Sequence, residues 1–315
     1  MKNNISLNQA WQSWNDCLLG EDVNSIFQQI VSMIWDTAIF RIIVELRKRR
    51  FESNPSKTQY YTLLAEFVDR NYFNAQVVSI RRLIEGTSLQ GKRGVYSIGA
   101  LIEDIKKYRS ELTREKYFKL RGLSYDYESI KQSELEQEKY ELKNEVKKIK
   151  FYIGKPEFDW ENILQNHIIF DRLSMKNAVE RNPDDLISEQ FIYKLGEKLE
   201  ECKKIKIYVN KFIAHSATGE SRFESQLDSS ITFGKLWEAQ KTLYLLANLL
   251  SISLFGTELI VLPLSLPPSL ESLDEYVFGQ EDSLIQRTFA EYQNETEKWR
   301  IEDTEKMWNW IKSIS

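Results

Sequence analysis

Residues 242–266 read TLYLLANLLSISLFGTELIVLPLSL, an apolar run long enough to approach a membrane-spanning helix. Asn248, Ser251, Ser253, Gly256 and Glu258 interrupt it, and no basic cluster flanks it. The run therefore reads as part of a central core helix over 232–255, buried nearly all round and ending near Gly256. A helix with no polar face needs other elements on every side.

The rest of the chain supplies helices. Gly 12 and Pro 6 are few for 315 residues, and a sandwich or barrel needs many tight turns. The expected fold class is all-α. Hydrophobic residues at 42% and charged residues at 29% fit a packed chain rather than a disordered one. The net charge of -4 excludes a chain that is basic overall but leaves room for a local basic groove. Two cysteines, Cys17 and Cys202, cannot build a zinc site or a disulfide framework, and Cys202 falls on an apolar helical stripe. Two histidines, His167 and His215, exclude a multi-histidine metal centre, so any histidine proton chemistry uses one of them. No metal or cofactor is expected. The start, MKNNISLNQAWQSWND, has no signal-peptide pattern, and a cytoplasmic location is the default expectation.

Apolar spacing predicts helices over 22–50, about 57–85 with a break near Asn71, and Ser97 to Lys107 behind a serine cap. Residues 106–150 turn dense in charge, and 127–150 read as an exposed helix with Glu and Lys at helical neighbours. A short helix at 159–165 and a long one from Pro183 to His215 follow. The tail 283–314 is helical and aromatic, and TELIVLPL is the one strand candidate. The expected organisation is an N-terminal segment 1–20, a first core part 21–108, an inserted charged arm 109–157, a second core part 158–262, and a linker with a C-terminal helix over 263–315.

Several chemical signals are weak. Gly86 to Arg93 reads GTSLQGKR, close to a phosphate-cradling loop, but Arg93 stands where the magnesium-binding hydroxyl belongs and a helix precedes it. Asp184-Asp185 and Glu281-Asp282 read as charges at helix starts. Arg114, Tyr125 and Asp126 suit either a ligand or a tie between arm and core. The stronger signal lies in Lys204, Tyr208, Lys211 and His215, at steps of four, three and four. On one helix face these make a basic, histidine-bearing stripe suited to phosphate, with Lys211 as a point charge and His215 as acid or base. A histidine capping carbonyls at a helix C-terminus explains the same residues without function.

The segment Asn210-Lys211-Phe212-Ile213-Ala214-His215-Ser216, between two long helices, resembles the signature region of the HEPN superfamily. It is most similar to the abortive-infection U2-type branch, in which an N-K-x-x-A-H segment is typical. The resemblance covers most of 20–260. It implies a four-helix core drawn from 22–50, 57–107, 184–212 and 232–255, a homodimer, and a bacterial defence or stress protein acting on RNA without metal. His215 would then move the proton, Lys211 would touch phosphate and Asn210 would orient the site. The family motif is an arginine, four to six intervening residues, and then the histidine. Here those positions hold Asn210, Val209 and Tyr208. A replacement cation is expected from another element: Arg81 or Arg82 in QVVSIRRLIE, or Arg222 in the following loop, with Lys204 and Tyr208 completing an RNA-binding surface. If Arg81 and Arg82 are structural instead, Asp36 and Glu45 are their expected mates. The alternative to an atypical endoribonuclease is a non-catalytic interaction protein: a dimerising sensor, a scaffold or a neutralising partner in a defence system.

Overall fold

The computed structural model describes residues 5–53, 62–89, 94–143, 159–214, 231–263 and 282–313. Within them the fold is all-α. Twelve α-helices are named here in chain order. They are α1 Leu7–Leu19, α2 Ile26–Ser53, α3 Thr62–Leu83, α4 Ile98–Tyr108, α5 Arg114–Leu120, α6 Tyr127–Lys143, α7 Asp159–Ser174, α8 Glu189–Glu200, α9 Lys203–Tyr208, α10 Phe233–Phe255, α11 Asp282–Lys298 and α12 Thr304–Lys312. No helix among the described residues is long and apolar enough to cross a membrane.

The central element is α10. Thr232 caps its start by accepting from the Lys235 N–H, and Gly256 ends it at φ +69, a left-handed conformation that glycine adopts without a Cβ clash. Helices α1, α2, α3, α4, α7, α8 and α12 all pack on it. Its interrupting polar residues are satisfied, as burial requires. Gln240 donates to Thr37 Oγ1 (2.9 Å) and Gln76 Oε1 (2.6 Å), linking α10 to α2 and α3. Asn248 donates to Thr304 Oγ1 and accepts from the Leu259 N–H. The strand candidate TELIVLPL is no strand over its described part. Its first residues are an irregular segment pinned to α10 by the Tyr244 hydroxyl, which donates to the Leu259 carbonyl, and by the Ser251 hydroxyl on Thr257.

Helices α2 and α3 run antiparallel, as Met33 with Gln76, Thr37 with Tyr72 and Arg47 with Asp69 show. The break expected near Asn71 is absent; its amide donates to the Phe67 carbonyl one turn back and α3 continues. The N-terminal segment is core: Trp14 is fully buried and its indole donates to Asp104 at 2.8 Å. The helix expected from Pro183 to His215 is in fact three pieces. It starts only at Glu189 behind the Ser188 cap, breaks at Glu201–Cys202, and passes into a π-turn over Val209–Ala214. The helix expected at 159–165 runs on to Ser174. The tail contains a second π-turn, Trp299–Asp303, between α11 and α12.

The arm begins later than residue 109. Helix α5 is interior, with Arg114, Tyr117 and Phe118 buried. Arg114 meets Asp171 at 2.9 Å and Asp185 at 3.0 Å, and also donates to the His167 carbonyl. Arg181 grips Asp171 through two nitrogens, and Lys176 pairs with Asp185. Asp185 is thus a buried ion partner rather than a helix-start charge. Burial pushes its carboxyl up, but the Lys176 ammonium, the Asn182 N–H and the Arg114 guanidinium outweigh that and hold it below the usual carboxylate range. Asp126 caps α6 by accepting from Ser129, and the Tyr125 carbonyl takes the His167 Nε2 hydrogen at 2.9 Å. Arg114 and Tyr125 therefore tie α5 and the start of α6 to α7, whereas Asp126 serves only the α6 start.

His167 is buried between the rings of Phe118, Tyr125 and Tyr127, and its Nδ1 has no partner among the described residues. Burial lowers its pKa, and the Arg181 and Arg114 charges lower it further, against the Tyr125 carbonyl and Asp171.

Two outcomes follow from this packing. Arg114→Met leaves Asp171 and Asp185 buried with less positive charge, and urea denaturation is expected to show a loss of about 3–5 kcal/mol. A loss below about 1 kcal/mol would mean the remaining cations carry the network alone. His167 binds fewer protons folded than unfolded, where its pKa is about 6.5. Its contribution is complete above that pH and is lost as pH falls below it. Melting temperature is expected to drop between about pH 6.5 and 5, and His167→Phe should flatten that slope.

Candidate functional site

The residues singled out for chemistry fall on two elements that the fold brings together, the C-terminal half of α3 and the α9–π-turn segment. His215 and Arg222 lie outside the described residues. Asn210 and Lys211 lie in the π-turn, Lys204 and Tyr208 on α9, and Arg81 and Arg82 in the last turn of α3.

The decisive contact is between Arg81 and Asn210: the guanidinium Nε donates to Asn210 Oδ1 at 2.9 Å. Arg81 also stands 3.7 Å from Glu85, and Lys206 reaches the other oxygen of the same carboxylate at 3.4 Å. All three charged side chains are partly exposed, at 36%, 25% and 35% for Arg81, Glu85 and Lys206. Two cations thus share one carboxylate at a wet surface, leaving positive charge available to an anion. The expected structural mates of Arg81, Asp36 and Glu45, are replaced by Glu85, just past the end of α3, and by Asn210. Arg82 points elsewhere: it is exposed, about 100° further round the helix.

Glu85 is held from behind. Ser97 donates to its backbone carbonyl at 2.6 Å while capping α4. A Cβ at Gly99 would sit 2.6 Å from that carbonyl, so only glycine lets α4 start this close.

The face predicted from 3.6-residue spacing is altered by the π-turn. A π-turn bonds i to i+5 and rotates the residues beyond it relative to an α-helical stripe. Tyr208 packs edge-on against Phe73 at 5.8 Å and stacks on Phe212 at 4.9 Å, which anchors the turn to α3. Lys204 is exposed on α9, and Lys211 is half-buried in the turn. Cys202, beside the helix break, is buried, which pushes its thiol up to about 12, so it is no nucleophile here.

Lys206 and Glu85 were not among the predicted site residues. The Arg81–Glu85 spacing of four was available as a signal; Lys206 could be placed only by the packing of α9 on α3. The Gly86 loop follows α3 directly, and no buried strand precedes it among the described residues, so the phosphate-loop reading has no structural support.

The arrangement offers a guanidinium, one or more ammonium groups and an amide at the end of a bundle helix, with the motif histidine next in sequence. No protein-family model, curated protein or solved structure matches this chain, so the site is read from its own geometry.

Proposed function

We propose that the protein is an RNA-directed member of the HEPN type, acting in bacterial defence or stress as a metal-independent endoribonuclease whose arginine comes from α3. One observation carries this reading. Asn210 occupies a position of the motif arginine, four intervening residues before His215, and Arg81 binds that very side chain at 2.9 Å. In this reading the cation missing from the motif segment comes from a neighbouring helix.

The chemistry is simple. The 2′-oxygen of RNA attacks the adjacent phosphorus, the bond from phosphorus to the 5′-oxygen breaks, and a 2′,3′-cyclic phosphate remains. His215 takes the 2′-hydroxyl proton or supplies one to the leaving oxygen. The planar Arg81 fork pairs with two phosphate oxygens and stabilises the charge that develops there. Asn210 holds Arg81 in place, and Lys204 and Lys211 contact flanking phosphates as point charges.

A second reading has its own observation. Phe51, Leu63, Leu64 and Phe67 are 56%, 81%, 61% and 55% exposed at the adjoining ends of α2 and α3. Four large apolar side chains together mark an interaction surface. A dimerising or partner-binding protein would use it with or without catalysis.

Incubation with mixed tRNA and mRNA in EDTA tests the first reading. Wild type is expected to cut. His215→Ala and Arg81→Ala should each lose about a hundredfold or more, with Arg81→Lys recovering little because it lacks the planar fork. Circular dichroism checks that the variants remain folded. If wild type neither binds nor cuts RNA, the interaction reading takes over, and light scattering of Leu64→Ser plus Phe67→Ser should then show reduced association.

A further inference from the structure

A cleft of about 500 Å³ opens between α2, α10 and α11, and no residue of the Arg81 cluster lines it. That volume is within the roughly 300–1,000 Å³ typical of small-molecule sites. Its walls are aromatic: Phe40, Phe233 and Trp237, with Phe233 and Trp237 only partly buried. Phe40, Tyr72 and Phe233 form a cluster of rings whose planes differ by 5°, 31° and 27° pairwise, with centroids 3.9–5.9 Å apart. A near-parallel ring cluster reaching the wall of a cleft favours a flat ligand over an aliphatic one.

The charges of the cleft decide which edge such a ligand must show. Arg41 is matched by Glu295 at 2.7 Å and Arg47 by Asp69 at 2.7 Å. Glu45 and Glu291 remain. Among the described residues their ion-pair neighbours are Lys48 at 4.0 Å and Arg287 at 3.6 Å, each on the same helix as its carboxylate. Glu45 and Glu291 are therefore solvent-accessible carboxylates, each held by one loose partner on its own helix, with oxygen left to accept from a hydrogen-bond donor. Arg41 adds one feature: its Nε is buried and meets no acceptor among the described residues. The cleft combines aromatic walls with solvent-accessible carboxylate acceptors.

We propose that this cleft binds a guanine base. Guanine is flat, presents two adjacent donors, N1–H and the N2 amino group, that match one carboxylate, and carries an acceptor, O6, beside them. Adenine and uracil lack that donor pair. The biological ligand, a base extruded from single-stranded RNA, rests on the RNA-directed reading. Unpaired bases are commonly read by aromatic stacking plus hydrogen bonds to their edges. The position suits this. Phe73 touches both Phe233 of the cleft and Tyr208 of the motif segment. Arg81 follows Phe73 by eight residues, about 12 Å along the helix. A strand whose phosphates lie at Arg81 and Lys206 then has a base within reach of the cleft a nucleotide or two away. The protein would cut or hold RNA near a guanosine.

Isothermal titration with free guanosine tests the cleft without using RNA or activity. Guanosine is expected to bind saturably, at least tenfold more tightly than adenosine or uridine. Phe233→Ala should weaken it tenfold or more, as should one of Glu45→Gln and Glu291→Gln; the two glutamine variants change no core packing, so they report even if Phe233→Ala unfolds. No saturable binding by millimolar guanosine overturns the proposal. So does equal affinity for uridine, or tighter binding of spermidine or arginine methyl ester, which would make the cleft a cation site. The two readings fail separately. Guanosine binding without RNA cleavage keeps the base site and removes the nuclease, whereas RNA cleavage without guanosine binding does the reverse.

Discussion

The fold depends on one constraint: α10 has almost no polar surface to give to water. Fourteen of its residues are buried, from Leu236 to Leu254. Every buried leucine removed from water contributes about 1.5–3 kcal/mol, so the helix is stable only when covered. Seven other helices provide that cover, from both ends of the sequence. The few polar residues on α10 then become register marks. Gln240 fits only where Thr37 and Gln76 meet it, and Asn248 only where Thr304 and the Leu259 N–H do. Buried amides left unpaired would cost roughly 1–3 kcal/mol each, so wrong registers are penalised.

Charge is used in two different ways. Around Arg114 the cations and carboxylates, all but Lys176 largely buried, are mutually paired and spread over α5, α7 and the segment before α8. Such a network fixes the geometry of the elements it joins. Around Arg81 the side chains are partly exposed, at longer distances, and two cations share one acid. The cleft beside Phe233 carries the solvent-accessible carboxylates Glu45 and Glu291, each loosely paired along its own helix. A surface that places cations and acids in separate neighbouring places can hold the phosphates of a strand at one and a base at the other.

Much of the fold was legible in the sequence. The periodic helices, the Ser97 cap and the Gly256 stop were readable because they depend on residues within a turn or two. Three features were not. The π-turn at Val209–Ala214 involves ordinary helix-forming residues, and nothing local marks it. The break at Glu201–Cys202 lies within a continuous apolar stripe. Asp185 looked like a helix-start charge because its partner Arg114 is 71 residues away. At the site, Arg81 and Arg82 were both legible as candidates, but only the direction of each side chain separates Arg81, which meets Asn210, from the exposed Arg82.

The sequence by itself determined that the chain is helical, that α10 is central and that residues 204–216 carry no arginine. These follow from composition, apolar spacing and residue identity, which act locally. Only the tertiary structure decided that Arg81 meets Asn210, that Lys206 joins it across Glu85, and that Phe40, Phe233 and Trp237 wall one cleft. Those pairings join residues up to 197 positions apart (Phe40 to Trp237). They are set by how α3, α9, α2 and α11 pack around a buried helix, and no local pattern in the chain encodes that packing.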